Sequence, residues 1–454
     1  MIPKKVSLNK TLLNIKIEKE NIDFVKYNKE KIYSALMSLD EKKDSPKYLS
    51  LSCIYGAFLG DSMGASCEFL SPSPKNHQLI FKTKDGNFDI GEVTDDSEMA
   101  ISAAFAYLDS ISSFDKNSNI LYYYYCIWVN TQPKDVGETT IKALENWNQQ
   151  NIEKTVFNKE YVEEVNMDSL ANGFLMRLST FIVFYYYKNY QTVNQVITDF
   201  HKKKNKDFTK EILDLFMDIL EISKKNVIIT HPNPENVISG AIFSLMTLAG
   251  MVTKSSEFVY KLFELFYQSK LFIQTLPNEY KKFGEIVQKK YSDIVEEIKL
   301  IEKKKSVLNV FDCMGYYIHA IKLCIYFLRK YKNIAKGKNL FNDIMNQICD
   351  LGGDTDTNCA IVGTLIGPMI GYKKFPKDYF KQLIYFVPET RSQFNSALMY
   401  MYVDYLEDEY FNSDEDEEEE IKDDKKQEKT DKPKKIQIKS YGMINEFFTT
   451  KLDI

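Results

Sequence analysis

Two stretches of this chain carry glycine at every fourth position: Gly56, Gly60 and Gly64 within residues 49–64 (LSLSCIYGAFLGDSMG), and Gly363, Gly367 and Gly371 further on. In an α-helix, positions four apart fall on one face. A glycine inside a helix costs about 1 kcal/mol relative to Ala, a penalty that close backbone packing on the glycine face can offset. The spacing therefore predicts two helices, each with a face that another backbone can approach closely.

The rest of the chain points the same way. Helical runs are expected at 96–108, 122–129, 174–187, 234–252, 260–266 and 316–328, and no series of alternating strands is visible. With only 12 Pro and 18 Gly in 454 residues, a loop-rich β architecture is disfavoured. The predicted class is all-α, a compact multi-helix domain. Two uncharged stretches, 236–253 and 357–372, are shorter than the roughly 20 residues of a membrane span and carry polar side chains, so both are expected to be buried core helices with no membrane partner.

Three regions are expected. Residues 1–45 are charged and weakly patterned, an N-terminal extension; residues 46–407 form the main domain; residues 408–454, with the run Asp414 to Glu420, form an acidic, mixed-charge tail too polar to pay for ordering. The Lys-rich and Lys/Glu-rich stretches 201–206 and 289–305 read as solvated helix faces or loops.

A formal charge of −5 argues against a nucleic-acid partner, which would require a basic face. Seven Cys without a C-x-x-C pair suggest reduced thiols and neither a disulfide framework nor a zinc knuckle. The four His include no H-E-x-x-H spacing, so any metal should be held by oxygen. The N-terminus lacks the apolar core of a secretory signal, and a cytoplasmic monomer is expected.

The chemistry concentrates in two acidic corners. Residues 91–98 (GEVTDDSE) lead into an Ala-rich helix and can be read as a capped start, with Asp95 as N-cap and Glu98 completing a capping box. Residues 351–358 (LGGDTDTN) open the second glycine stripe and can equally be a capped start. An EF-hand loop fits Asp354, Asp356 and Asn358 but fails at its sixth and twelfth positions, held by Cys359 and Leu365. Together the corners offer six hard oxygen donors: Thr94, Asp95, Asp96, Asp354, Asp356 and Thr357. If they converge, each ionised pair at ~4 Å repels by roughly 4 kcal/mol at an effective dielectric of about 20. Protons or divalent cations would relieve that repulsion, and Mg²⁺ or Mn²⁺ suits an all-oxygen set.

Gly60-Asp-Ser-Met-Gly64 with Glu68-Phe-Leu70, Thr94-Asp-Asp-Ser97, Asp135-Val-Gly-Glu-Thr-Thr140, Asn172-Gly-Phe-Leu-Met-Arg177, Thr230-His-Pro232 and Gly352-Gly-Asp-Thr-Asp-Thr357, in that order, resemble the ADP-ribosylglycohydrolases. The resemblance covers about residues 50 to 406. It implies an all-α fold with two Mg²⁺ or Mn²⁺ ions held by Thr94, Asp95, Asp96, Asp354, Asp356 and Thr357 at the mouth of an ADP-ribose cleft. It implies removal of ADP-ribose from modified protein, with Glu68, Asp96 and Asp354 as catalytic candidates. Asp135, Gly137, Glu138, Asn172, Gly173 and His231 become substrate-binding candidates, while Arg177 could be a structural ion-pair partner. Glu138 stands where the family often has Asn, Ala171 where Gly is frequent and Ser97 where Thr is common. The Asp135–Thr140 segment looks more like the arginine-linked branch. A silent ADP-ribose-binding or crystallin-like role is the alternative.

Overall fold

The computed structural model describes residues 19–39, 45–81, 88–110, 118–145, 155–203, 205–388 and 394–411. Its helices run α1 Lys19–Ser38, α2 Pro46–Gly64, α3 Asp95–Asp109, α4 Ser118–Asn130, α5 Glu138–Leu144, α6 Lys159–Asn166, α7 Leu178–Lys188, α8 Tyr190–Lys203 and α9 Lys210–Val227. They continue as α10 Pro234–Thr253, α11 Ser256–Gln268, α12 Lys270–Thr275, α13 Asn278–Glu302, α14 Tyr317–Lys330, α15 Leu340–Leu351, α16 Thr355–Ile370, α17 Lys377–Tyr385 and α18 Met399–Phe411. Among the described residues the β-structure is one isolated bridge, Ala171 to Tyr316.

The two glycine-striped segments are α2 and α16, and they pack against each other. A Cβ on Gly56 would lie 2.3 Å from the Gly363 carbonyl oxygen, one on Gly60 2.3 Å from that of Cys359, and one on Gly64 2.4 Å from that of Thr355. Residue numbers rise along one helix as they fall along the other, so the pair is antiparallel with backbones in direct contact. Gly371 departs from the stripe. It follows the last turn of α16 at φ +87°, a left-handed position that suits glycine and ends the helix. Pro368 removes one backbone donor from α16, and the Cys53 thiol of α2 approaches the Thr364 carbonyl at 3.6 Å in its place.

Both helices read as apolar all round because both are buried on every side. Helices α10, α14 and α15 pack on α16, while α3, α7 and α18 pack on α2. Helix α10 has the length and hydropathy of a membrane span, yet 89% of that window is buried inside the protein, as expected of a core helix. Asn233 caps it by accepting from the Glu235 N–H, with Pro234 in its first turn.

Several elements differ from the sequence expectation. The run at 174–187 becomes helical only from Leu178. The Lys/Glu stretch 289–305, by contrast, matches its reading as a solvated helix face: most of it is the outer side of α13, whose inner stripe is Tyr280, Gly284, Val287, Tyr291, Ile294, Val295 and Ile298. Within residues 1–45, α1 buries Ile32 and Leu36 and sets Tyr33 beside Phe380 and Tyr385, so packing reaches back past the boundary drawn at residue 45. At the other end α18 continues to Phe411, whose ring meets Tyr187 and Tyr190. The remainder of the acidic tail, 412–454, and Lys204 of the 201–206 stretch lie outside the described residues.

Candidate active site

The antiparallel register of α2 and α16 carries the N-terminus of α16 to the C-terminal end of α2, where α3 also begins. Asp61 is an acidic side chain on an otherwise apolar face of α2, and it organises the first corner. Its carboxylate accepts from the Thr94 N–H at 3.1 Å, the Thr94 hydroxyl at 2.9 Å, the Ser97 N–H at 3.2 Å and the Ser97 hydroxyl. Thr94, in extended conformation, is the N-cap of α3, so the expected Asp95 cap moves back by one residue. Glu98 closes no capping box; it accepts from the Trp128 indole N–H at 2.8 Å. The Asp95 and Asp96 carboxylates are thereby left for another purpose.

The second corner turns on two glycines at φ +68° and +79°, Gly352 and Gly353. A Cβ on Gly352 would lie 2.2 Å from the Leu70 carbonyl oxygen. The absence of side chains lets this turn pair with the Glu68 segment: the Phe69 N–H donates to the Gly353 carbonyl at 2.7 Å and the Gly353 N–H to that of Leu70 at 3.0 Å. Thr355 donates to the Gly64 carbonyl at 2.8 Å. Asp354 heads α16 without a side-chain capping bond; its Oδ2 accepts instead from the Asn172 amide at 2.6 Å.

The corners meet. The Thr357 hydroxyl donates to Asp96 Oδ2 at 3.1 Å, across 261 residues of sequence. Carboxylate oxygens of Glu68, Asp135 and Asp356 lie within 4.8 Å of one another. Asp96 Oδ1 and Asp356 Oδ1 are buried and have no hydrogen-bond partner. A buried carboxylate oxygen left unpaired is costly, and unpaired carboxylate oxygens in an all-oxygen donor set are what a hard divalent cation satisfies. The residues fit such an ion on this ground.

Electrostatics agree with the geometry. Burial, then the charges of Asp135, Asp354 and Asp61, push the Glu68 carboxyl up to about 8. Burial and neighbouring carboxylates hold Asp95, Asp96 and Asp356 well above the usual carboxylate range. Asp61 rises to about 6 through burial, opposed by its hydrogen bonds from Ser97 and Thr94. Burial raises Asp135 as well, against a backbone hydrogen bond from Val136.

Other sequence candidates fall at different distances from this centre. Asn172 touches Asp354 directly, and Gly173 lies under the ring of His231. Gly137 is exposed with open space where a side chain would stand. Glu138 is turned outward: its side chain is 81% exposed and pairs with Lys142 one turn along α5 at 2.6 Å. Sequence reasoning did not select Asp61, although a lone acid in a glycine-striped apolar helix was a visible signal. Arg177 is fully buried, yet it makes no ion pair; among the described residues its hydrogen bonds go to Asn226, Thr230 and Gly173 and to the Met99 sulfur.

The fold is thus an all-α domain in which two acidic corners meet and carboxylates of Glu68, Asp135 and Asp356 form a group of the kind that can hold a metal ion. The ADP-ribosylglycohydrolase family model matches residues 45–407, and the chain belongs to that family of glycohydrolases. A protein of Acanthamoeba polyphaga mimivirus named as an ADP-ribosyl glycohydrolase is 25% identical over 343 residues, covering 70% of this chain and 86% of its own. A solved structure titled "ADP-ribosylglycohydrolase-related protein complex" matches 79% of this chain and 98% of its own at 18% identity and a TM-score of 0.49.

Proposed function

We propose that this protein is a metal-dependent hydrolase that releases ADP-ribose from modified protein side chains, with the arginine-linked adduct as substrate. The observation that carries the reading is the Thr357–Asp96 junction, which gathers the acidic corners around two unpaired buried carboxylate oxygens. Thr94, Asp95, Asp96, Asp354, Asp356 and Thr357 would hold one or two Mg²⁺ or Mn²⁺ ions, supplying positive charge to orient ribose hydroxyls and water.

The protein's own groups divide the remaining work. Glu68, its carboxyl raised to about 8 in the cation-free protein, is the acid assigned to give a proton to the departing side-chain nitrogen. Water adds to the anomeric carbon as the C–N bond breaks through an oxocarbenium-like state, and the water's proton passes to a carboxylate. Asn172 fixes the orientation of Asp354 through its 2.6 Å bond. Exposed Gly137 leaves the α5 end open to ribose and phosphate. A cationic guanidinium leaving group also suits the acidic surroundings of Glu68, Asp135 and Asp356.

The experiment is a side-by-side panel of arginine-, serine- and polymer-linked ADP-ribose substrates with Mg²⁺ or Mn²⁺, wild type against Asp354→Ala. Release of ADP-ribose from the arginine-linked substrate by wild type alone is expected. Equal, null release by both proteins would leave only a binding role; release from the serine-linked substrate alone would overturn the linkage.

A further inference from the structure

Arg177 is an unusual residue to bury completely without a carboxylate. Its Nε donates to Asn226 Oδ1 at 2.8 Å, and its Nη2 donates to the Asn226 carbonyl at 3.0 Å and to Thr230 Oγ1 at 2.7 Å. Nη1 donates to the Gly173 carbonyl at 3.3 Å and reaches the Met99 sulfur at 3.9 Å, and the guanidinium lies over the Tyr125 ring at 4.9 Å. All five N–H groups are directed at neutral partners.

A definite arrangement of protons follows. A guanidinium can only donate, so Thr230 Oγ1 must accept from Arg177. The Thr230 hydroxyl has one hydrogen left, and His231 Nδ1 stands 2.7 Å from its oxygen. If that hydrogen goes to Nδ1, the Nε2 edge is the one part of the relay left unpaired; if Nδ1 carried the proton, the Thr230 hydroxyl hydrogen would be buried without an acceptor as well. Burial and the nearby Arg177 charge keep His231 neutral, so its single proton resides on Nε2. Nε2 is fully buried and has no hydrogen-bond partner.

The unpaired edge of the ring packs against Gly173. A Cβ there would stand 3.0 Å from His231 Cε1 and 3.2 Å from Nε2, so only a residue without a side chain sits easily against that edge. Gly173 is half-buried, and its neighbour Asn172 holds Asp354. The Asn166 amide donates to the Thr230 carbonyl at 3.0 Å and to the Thr139 carbonyl at 2.7 Å, fixing the relay to the first turn of α5.

We infer that Arg177 is a positioning residue: acting through Thr230, it locks His231 as an Nε2–H donor set beside Gly173 for a substrate oxygen. The use of that donor rests on the ADP-ribose reading above, whereas the relay itself does not. It makes His231 selective for an acceptor atom and insensitive to pH in the neutral range, because the ring neither gains a proton nor exchanges tautomers.

Two measurements test this on the full chain. Since the protein has only four His, ¹⁵N-histidine labelling resolves the rings by NMR. His231 in the metal- and ligand-free wild type is expected to show an unprotonated Nδ1 and a protonated Nε2; the opposite tautomer, or rapid exchange of both, would overturn the relay. Calorimetric binding of ADP-ribose with Mg²⁺ then follows Thr230→Ser, which keeps the hydroxyl, and Thr230→Val, which matches the shape without it. Thr230→Ser should bind within about twofold of wild type and Thr230→Val about tenfold more weakly. Equal affinity of the two variants refutes the positioning role. If the wild type fails to bind ADP-ribose at all, the functional reading and the donor's use fall together, while the ligand-free tautomer still decides the relay. The wild-type tautomer also stands as a test should either variant fail to fold.

Discussion

Replacing Glu68 with Gln should make the cation-free protein more stable at alkaline pH and leave it unchanged in acid. Oxygens of Glu68, Asp135 and Asp356 lie within 4.8 Å of one another. Each ionised pair at that separation repels by about 3 to 4 kcal/mol at an effective dielectric of about 20. Three such pairs approach the whole stability of an ordinary domain, about 5–15 kcal/mol. Without a cation at least one proton must stay, and Glu68, raised from 4.5 to about 8, retains one. Below about pH 4.5 the folded and unfolded forms both hold this proton and Glu68 contributes no pH dependence. Between there and about pH 8 the unfolded chain has released the proton while the folded one keeps it, so stability falls as pH rises. At about 1.4 kcal/mol per pH unit, trimmed for partial solvent exposure of the side chain, the loss is roughly 3 kcal/mol by pH 8. Urea unfolding of EDTA-treated protein, followed by circular dichroism at a series of pH values, measures it. The Glu68→Gln advantage should grow from near zero at about pH 4.5 to roughly 3 kcal/mol at about pH 8. A gap that stays constant with pH would show that these carboxylates do not share a volume.

Gly60→Ala places a methyl 2.3 Å from the Cys359 carbonyl oxygen, backbone that cannot yield without moving a helix; a loss of about 3 kcal/mol or more is expected in urea unfolding, and an unchanged midpoint would contradict the α2–α16 packing. Thr357→Val removes the 3.1 Å bond to Asp96 and one oxygen donor; Mg²⁺ affinity by calorimetry should fall at least about tenfold with the circular dichroism spectrum intact. Ending the chain after Glu407 deletes Tyr410 and Phe411, whose rings meet Phe184, Tyr187 and Tyr190. That truncation should cost about 2–4 kcal/mol relative to one ending after Phe411, whereas equal melting temperatures would show those rings to be idle.

Much of the architecture could be read from local pattern. Glycines four apart announce close helix contact wherever the partner is, and that contact occurs between the two striped segments. The run of residues 289–305 was legible only on its outer side, because its lysines and glutamates record the solvent side of α13 while the inward stripe begins about two and a half turns earlier, at Tyr280. The start of α3 shows a different limit. Asp95 and Thr94 are both good caps, and the choice between them is made by Asp61, which draws the Thr94 backbone and hydroxyl toward α2. Residues 174–177 have helical apolar spacing, but Asn172 and Ala171 are tied to the Gly315–Tyr316 segment, which holds the chain in a turn until Leu178.

The chain's residue types alone determine that most of the molecule is helical, that acids and hydroxyls recur at two helix starts, and that two glycine faces seek a backbone. Those are properties of a segment and its neighbours within a turn or two. Which carboxylates crowd together, that Glu68 and Asp135 join them while Glu138 turns outward to Lys142, and that Arg177 addresses His231 through a hydroxyl were decided only by the fold. The reason is geometric. Helices far apart in sequence set these meetings through their crossing register, and a shift of one residue would rotate each side chain by about 100° away from its partner.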